Sequence, residues 1–181
     1  MCADPWGSET MKAAEALSAL AEVSVAFAGF SGIVTAFRQH NLGEWSRLDR
    51  FRFRFMIEFS LATLALSLLP FFLSELGLSE PRVWSMSSVV LGAGALFYLV
   101  RSALRLRPLV VAGEPVSRGL AAVSVAVGIG VTASALANAA GFFSAAAGVY
   151  LAGVGGCLFV SSAMFARLLL GSATASRDDA S

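Results

Sequence analysis

The chain has 181 residues, of which 57% are hydrophobic and only 14% are charged. Soluble domains usually carry about 25% charged residues, so this composition excludes an ordinary soluble fold. The formal net charge of +1 says little about partners, because the charges are segregated along the chain.

The basic residues alternate with long apolar stretches, and eleven of the thirteen fall into three groups. Lys and Arg near membrane spans favour the cytoplasmic side of the bilayer. The alternation therefore predicts a multi-pass membrane protein with its N-terminus outside and its C-terminus in the cytoplasm. The three groups are Arg38, Arg47, Arg50, Arg52 and Arg54; Arg101, Arg105, Arg107 and Arg118; and Arg167 and Arg177.

The spacing of the charges predicts five spans in an all-α bundle. A helix needs about 20 residues to cross the hydrocarbon core, and the charge-free stretch 119–166 is about twice that length. It must hold two spans, with a turn near 138–144. The predicted spans are 13–37, 55–76, 83–104, 119–139 and 145–168. They make one transmembrane domain over 13–171, between a short extracytoplasmic tail, 1–12, and a cytoplasmic polar tail, 172–181.

The sequence allows two interpretations of the first span. Only fifteen uncharged residues, 23–37, separate Glu22 from Arg38, and that is too short to cross the bilayer. Either Glu22 enters the hydrocarbon, which we favour, or the first helix lies in the interface and four spans remain.

Two features mark the second and third spans. Pro70 lies inside the second span and is predicted to kink or locally unwind it, because proline cannot donate a helical hydrogen bond. Trp84 and Tyr98 lie near the two ends of the third span and are predicted to anchor it at the membrane interfaces.

Small residues recur at helical spacing on several spans, which favours close helix packing in lipid. The fourth span carries small residues on two faces and is therefore predicted to be central in the bundle. The glycines predicted to pack are Gly29, Gly32, Gly128, Gly130, Gly148 and Gly155.

Glu22 is the main candidate for a functional polar group, because an ionisable residue inside a membrane is costly. It shares a helical face with Glu15 and Ser18, and this face is predicted to look into the bundle. Asn138 is predicted to lie at a similar depth in the outer leaflet, so we hypothesise a hydrogen bond between Glu22 and Asn138. The site is either structural, joining helices, or a cation or proton site.

Arg54 and Glu58 are spaced for an ion pair one helical turn apart. They lie at the predicted cytoplasmic end of the second span, where charged side chains reach the interface at little cost. We predict a structural pair at this interface.

No motif for catalysis or cofactor binding is found. The stretch from Gly29 to Gly32 matches the GxSG of intramembrane serine proteases, but such an enzyme needs a histidine base on a second span. The only histidine, His40, lies in the loop after the first span. Cys2 and Cys157 are predicted to be unpaired thiols, and no metal or nucleic-acid site is predicted. The chain is predicted not to be an enzyme.

Several segments carry a resemblance to a known group: Ala21-Glu22, the stretch AFAGFSGIVTAF at 26–37, and Ser67-Leu-Leu-Pro70. Together with Trp45, Asp49 and Arg52 they resemble a widespread group of small, uncharacterised bacterial integral-membrane proteins. The resemblance implies residence in the bacterial inner membrane and supplies no reaction.

The sequence predicts a non-enzymatic membrane component in the lipid bilayer that assembles with itself or with a membrane partner. The alternative is a proton or cation channel, or a small transporter, that uses Glu22. An enzyme acting on lipid is a more distant alternative.

Overall fold

A computed structural model describes residues 8–38, 47–111 and 118–178, and every regular element in these ranges is a helix. Each of the five helices is long and apolar enough to cross a membrane, including the first, over Met11–Ile33. The predicted all-α bundle of five spans is therefore confirmed. The helices are α1 (Ser8–Arg38), α2 (Arg47–Glu75), α3 (Glu80–Val111), α4 (Arg118–Ala139) and α5 (Ala146–Asp178).

Two tight turns at the same end of the bundle join α2 to α3 and α4 to α5. Each contains a glycine in the left-handed region, with φ of 73° at Gly77 and 79° at Gly141. After α4, the Gly141 amide donates to the Asn138 carbonyl (3.0 Å) and the Phe142 amide to that of Ala137 (3.1 Å). This is the bonding pattern of a helix ended by a left-handed glycine. It lies where the sequence predicted a turn.

The helix α5 is central, because it contacts all four of the others. The remaining contacts join α1 to α2, α2 to α3 and α3 to α4, and the described parts of α1 and α4 do not touch. The prediction that α4 is central is therefore wrong. One small face of α4 packs inward, and its second small face, which includes Ala126 and Gly130, stays exposed.

Glycines bring α5 and α4 close to their neighbours. A Cβ on Gly153 would lie 2.6 Å from Leu91 Cδ2, and one on Gly156 would lie 3.1 Å from Val131 Cγ2. Between α3 and α4, a Cβ on Gly128 would lie 2.6 Å from Leu99 Cδ2. In lipid there is no hydrophobic driving force for helix association, so close packing at these glycines holds the helices together instead.

The six glycines predicted to pack divide into two groups. Gly128 packs within the chain as expected. The other five have no heavy atom within 4 Å of an added Cβ, apart from their own neighbours in the chain, so they make no close helix contact within this chain. These five are Gly29, Gly32, Gly130, Gly148 and Gly155.

Trp84 and Tyr98 of α3 pack against neighbouring helices, whereas Phe97 of the same helix is exposed. Trp84 is buried, and its ring centroid lies 6.0 Å from that of Tyr150 on α5. Tyr98 packs on Phe59 of α2, with centroids 4.9 Å apart. The prediction of interface anchors is thus wrong for Trp84, because α5 covers its ring.

Three features of the sequence lie outside the described residues. Cys2 belongs to 1–7, His40 to 39–46, and the last residues of the polar tail to 179–181.

The helix α2 is continuous through Pro70, and α5 extends to Asp178.

Gly128→Val is expected to destabilise the bundle by about 1–3 kcal/mol, because its side chain overlaps Leu99 in a packed contact. Gly94→Val is the matched control, since Gly94 has open space around an added Cβ. The measurement is reversible unfolding in mixed detergent micelles. Equal stability of the two variants would contradict the packing described for α3 and α4.

Candidate functional site: polar groups and a cavity in the bundle

The interior of the bundle contains several small polar side chains. An unsatisfied polar group in hydrocarbon costs several kcal/mol, so each should have a partner. Many bond to the carbonyl one turn earlier, such as Ser24 Oγ to Leu20 O (2.7 Å) and Thr63 Oγ1 to Phe59 O (2.8 Å). The buried polar residues are Ser24, Ser31, Ser60, Thr63, Ser67, Ser87, Ser88, Asn138 and Ser161.

One polar contact joins α2 to α5 inside the bundle. The hydroxyls of Ser60 and Ser161 lie 3.1 Å apart, and both lie within 3.1 Å of the Met56 carbonyl. All of these side chains are buried. Such bonds between helices contribute about 0.6 kcal/mol on average in membranes. This contact therefore helps to set the register of α2 against α5.

Pro70 leaves a backbone acceptor free, and Tyr150 occupies it. Proline has no N–H, so the carbonyl of Leu66, four residues earlier, loses its helical donor. The Tyr150 hydroxyl on α5 donates to this carbonyl oxygen at 2.6 Å. Tyr150 is fully buried. A neighbouring helix thus satisfies the group that the proline frees, as spanning helices require.

Asn138 joins three helices at the end of the bundle that holds the two tight turns. Its Nδ2 donates to Ser88 Oγ on α3 (2.9 Å) and to the Ala146 carbonyl at the start of α5 (2.8 Å). Within the described residues its Oδ1 has no hydrogen-bond partner, and neither do the hydroxyls of Ser67 and Ser87.

The structure places Glu22 differently from the sequence prediction. Glu22, Glu15 and Ser18 are exposed, because the inward face of α1 carries Ala13, Leu17 and Ser24. The prediction that this face looks into the bundle is therefore wrong.

The prediction that Glu22 and Asn138 lie at a similar depth in the membrane is also wrong. Glu22 is equally far in sequence from the two ends of the span Met11–Ile33, whereas Asn138 lies in the last turn of α4. At 1.5 Å per residue, Glu22 is about 16 Å from either end of its span. The hypothesised bond is absent within the chain, since the Asn138 amide is held by Ser88 and Ala146.

The pair predicted for Arg54 and Glu58 forms and has a third member. Arg54 Nε lies 2.7 Å from Glu58 Oε1, and Arg101 Nη2 from α3 lies 3.1 Å from the same oxygen. Glu58 is only 22% exposed, so the ion pairs are partly shielded from water. The sequence did not indicate Arg101, because residues 43 positions apart meet only when α2 and α3 pack.

An apolar cavity of about 360 Å³ lies between α2, α3, α4 and α5. Small residues such as Ala62, Gly94 and Gly156 leave this space where larger side chains would fill it. Sequence reasoning missed the cavity, although its small residues were visible. The lining residues are Phe55, Phe59, Ala62, Ala65, Leu66, Val90, Leu91, Gly94, Ala95, Tyr98, Leu99, Ser102, Ala103, Ala121, Ser124, Val125, Val127, Gly128, Val131, Gly156, Cys157, Val160 and Met164.

The described residues contain no group of three or more His, Cys, Asp or Glu side chains that could hold a metal ion. Cys157 is a free, buried thiol on the cavity wall. The polar groups above bind helices to one another, and the open space is apolar. The geometry therefore suits packing and the binding of an apolar group.

Tyr150→Phe is expected to destabilise the bundle by about 1–3 kcal/mol, because the Leu66 carbonyl is left buried without a donor. In a Pro70→Ala background the restored N–H of residue 70 donates to Leu66, so Tyr150→Phe should cost much less. The measurement is a double-mutant cycle of unfolding free energies in micelles. Additive effects would show that the two residues do not share this carbonyl.

Because the comparisons with known proteins find nothing similar, the proposed function rests on this geometry. No family model matches the sequence, and searches of curated proteins and of solved structures also find no match.

Proposed function

We propose that this protein is a non-enzymatic membrane component that assembles with further copies of itself through the exposed faces of α1 and α5. The assembly would lie in a bacterial inner membrane, with the arginine-rich ends of α2, α3 and α4 in the cytoplasm. The distribution of arginines supports this orientation, because positive residues near spans favour the cytoplasmic side.

The observation that carries the proposal is the position of Glu22. It lies near the middle of α1 (Ser8–Arg38) and points away from the other helices within the described residues. A charged side chain at the centre of a bilayer costs at least about 2.5–3.5 kcal/mol by insertion scales, and such residues normally face protein or a wet cavity. A partner that covers Glu22 removes this cost.

The surface beside α1 favours close contact with another helix. The described parts of α1 and α4 make no close backbone contact, and one exposed face of α5 carries Gly148, Ala152 and Phe159, with Gly155 half-buried beside them. On α1, Gly29 and Gly32 are also exposed and open. Small residues at outward positions let a second backbone approach closely in lipid.

A second copy of the chain suits this surface, because the polar groups of the surface are self-complementary. Across a two-fold axis, Glu22 of one copy faces the α1 face of the other, which carries Ser18 and a second Glu22. The Ser18 hydroxyl of one copy can donate to the Glu22 carboxyl group of the other. Most homo-oligomers use this kind of symmetric contact.

Glu22→Leu is expected to weaken self-association about three- to twentyfold, the factor for losing one hydrogen bond between helices in a membrane. Glu22→Gln should retain most of the association, because its amide still donates and accepts. The measurement is energy transfer between labelled copies in liposomes at several dilutions. Glu75→Leu, at the exposed last residue of α2, is the matched control. A monomeric wild-type chain, or equal effects of the two leucine variants, would contradict the proposal.

A second candidate function is a proton or cation channel formed by the assembly. The same position of Glu22 favours it, since rings of carboxylates line cation-selective pores. A single chain cannot form this path, because Glu22 faces outward from the bundle.

For this second function, purified protein in liposomes is expected to carry a flux that Glu22→Gln abolishes. Glu58→Gln is the control, because Glu58 lies near one end of its span and is paired with two arginines. The measurement is a pH- or cation-sensitive dye inside the liposomes. No flux from wild-type protein, or flux unchanged in Glu22→Gln, would leave assembly as the proposed role.

A further inference from the structure

The apolar cavity lies toward the arginine-rich end of the bundle. Phe55 near the start of α2, Ser102 near the end of the α3 span, and Ala121 near the start of α4 all line it. Its volume of about 360 Å³ is more than twice that of a roughly 150 Å³ apolar cavity that binds benzene, so it has room for a longer apolar group such as an acyl chain.

The cavity is suited to hydrocarbon rather than to water. Water needs two or more polar partners in a buried site, and nearly all of this lining is apolar. Four of the lining residues are exposed: Ala65 on α2, Val90 and Ala103 on α3, and Val125 on α4. The cavity is therefore open to the surrounding membrane, and an acyl chain can enter sideways.

A charged recess adjoins the cavity at the same end. Phe55, Tyr98 and Ser102 line both spaces, and the recess adds Glu58, Arg101 and Arg105. The recess itself is small, about 10 Å³, so its polar groups lie directly beside the apolar space. This order, from apolar to polar, matches that of a lipid from its chain to its headgroup.

The charge of the mouth is positive. Glu58 is the single acidic residue lining the recess, and its Oε1 already binds Arg54 and Arg101. Arg105 is half-buried and has no ion pair within the described residues. A half-buried guanidinium without a carboxylate favours an anion such as a phosphate group, which arginine binds with two parallel hydrogen bonds.

We propose that this cavity binds one acyl chain of an anionic phospholipid from the surrounding bilayer, with the lipid phosphate at Arg105 and Arg101. The site is independent of the assembly through Glu22, because its lining comes from α2, α3, α4 and α5 and none of it from α1. The bound lipid fills a space between four helices and ties the end of α3 to the membrane surface.

The test uses the full-length protein in a neutral detergent, titrated with dioleoylphosphatidylglycerol or with the zwitterionic dioleoylphosphatidylcholine. Native mass spectrometry counts the lipids retained. Wild-type protein should retain one phosphatidylglycerol, held about fivefold more tightly than phosphatidylcholine, the factor for one arginine at a membrane surface. Arg105→Gln should remove this preference. Arg107→Gln is the matched control, since Arg107 is exposed and does not line the recess.

A second variant and a second measurement test the cavity itself. Gly94→Leu fills the space and should reduce retention of both lipids at least tenfold. If this variant does not fold, phosphatidylglycerol with a photoreactive acyl chain tests the wild-type protein, with crosslinks expected at Cys157 and Met164 inside the cavity. Crosslinks confined to outward residues such as Leu61, no retained lipid, or equal effects of Arg105→Gln and Arg107→Gln would overturn the proposal.

Discussion

The absence of water from hydrocarbon requires every polar group in the spans to find a partner within the protein, and this requirement organises the bundle. The clearest case is the carbonyl of Leu66, which Pro70 deprives of its helical donor and which Tyr150 satisfies from α5. Because a proline in one helix needs a donor from another, the bond sets the height of α5 against α2. The contact between Ser60 and Ser161 sets the same register nearer the arginine-rich end.

The same requirement, that a polar group within a span needs a partner, applies to Glu22. Some polar groups that point inward, such as the Asn138 amide nitrogen, are bonded across helices, whereas Glu22 points outward from near the middle of α1. The five glycines that make no close contact within the chain have the same implication, since small residues bring no benefit on a surface that touches only lipid. The proposed contact with a second copy would account for Glu22 and for the four of these glycines that lie on α1 and α5.

The two ends of the bundle differ in how they are closed. At the turn end, left-handed glycines and the Asn138 amide hold α3, α4 and α5 together. At the arginine-rich end, the helices surround a cavity, and α2 and α3 are joined beside it by the ion pair between Glu58 and Arg101. An ion pair tolerates a wider gap than backbone contact does, so this end has room for a lipid chain.

The sequence by itself determined the five spans, the glycine turn after α4 and the pairing of Arg54 with Glu58, because each depends on local spacing along the chain. It did not determine which helix is central, which face of α1 points inward, the third member Arg101, or the cavity. Those features depend on how helices pack. A helix that is small or apolar on several sides, like α4, has no single inward face in lipid. Only the tertiary structure decides between them, through a few close contacts such as Gly153 against Leu91.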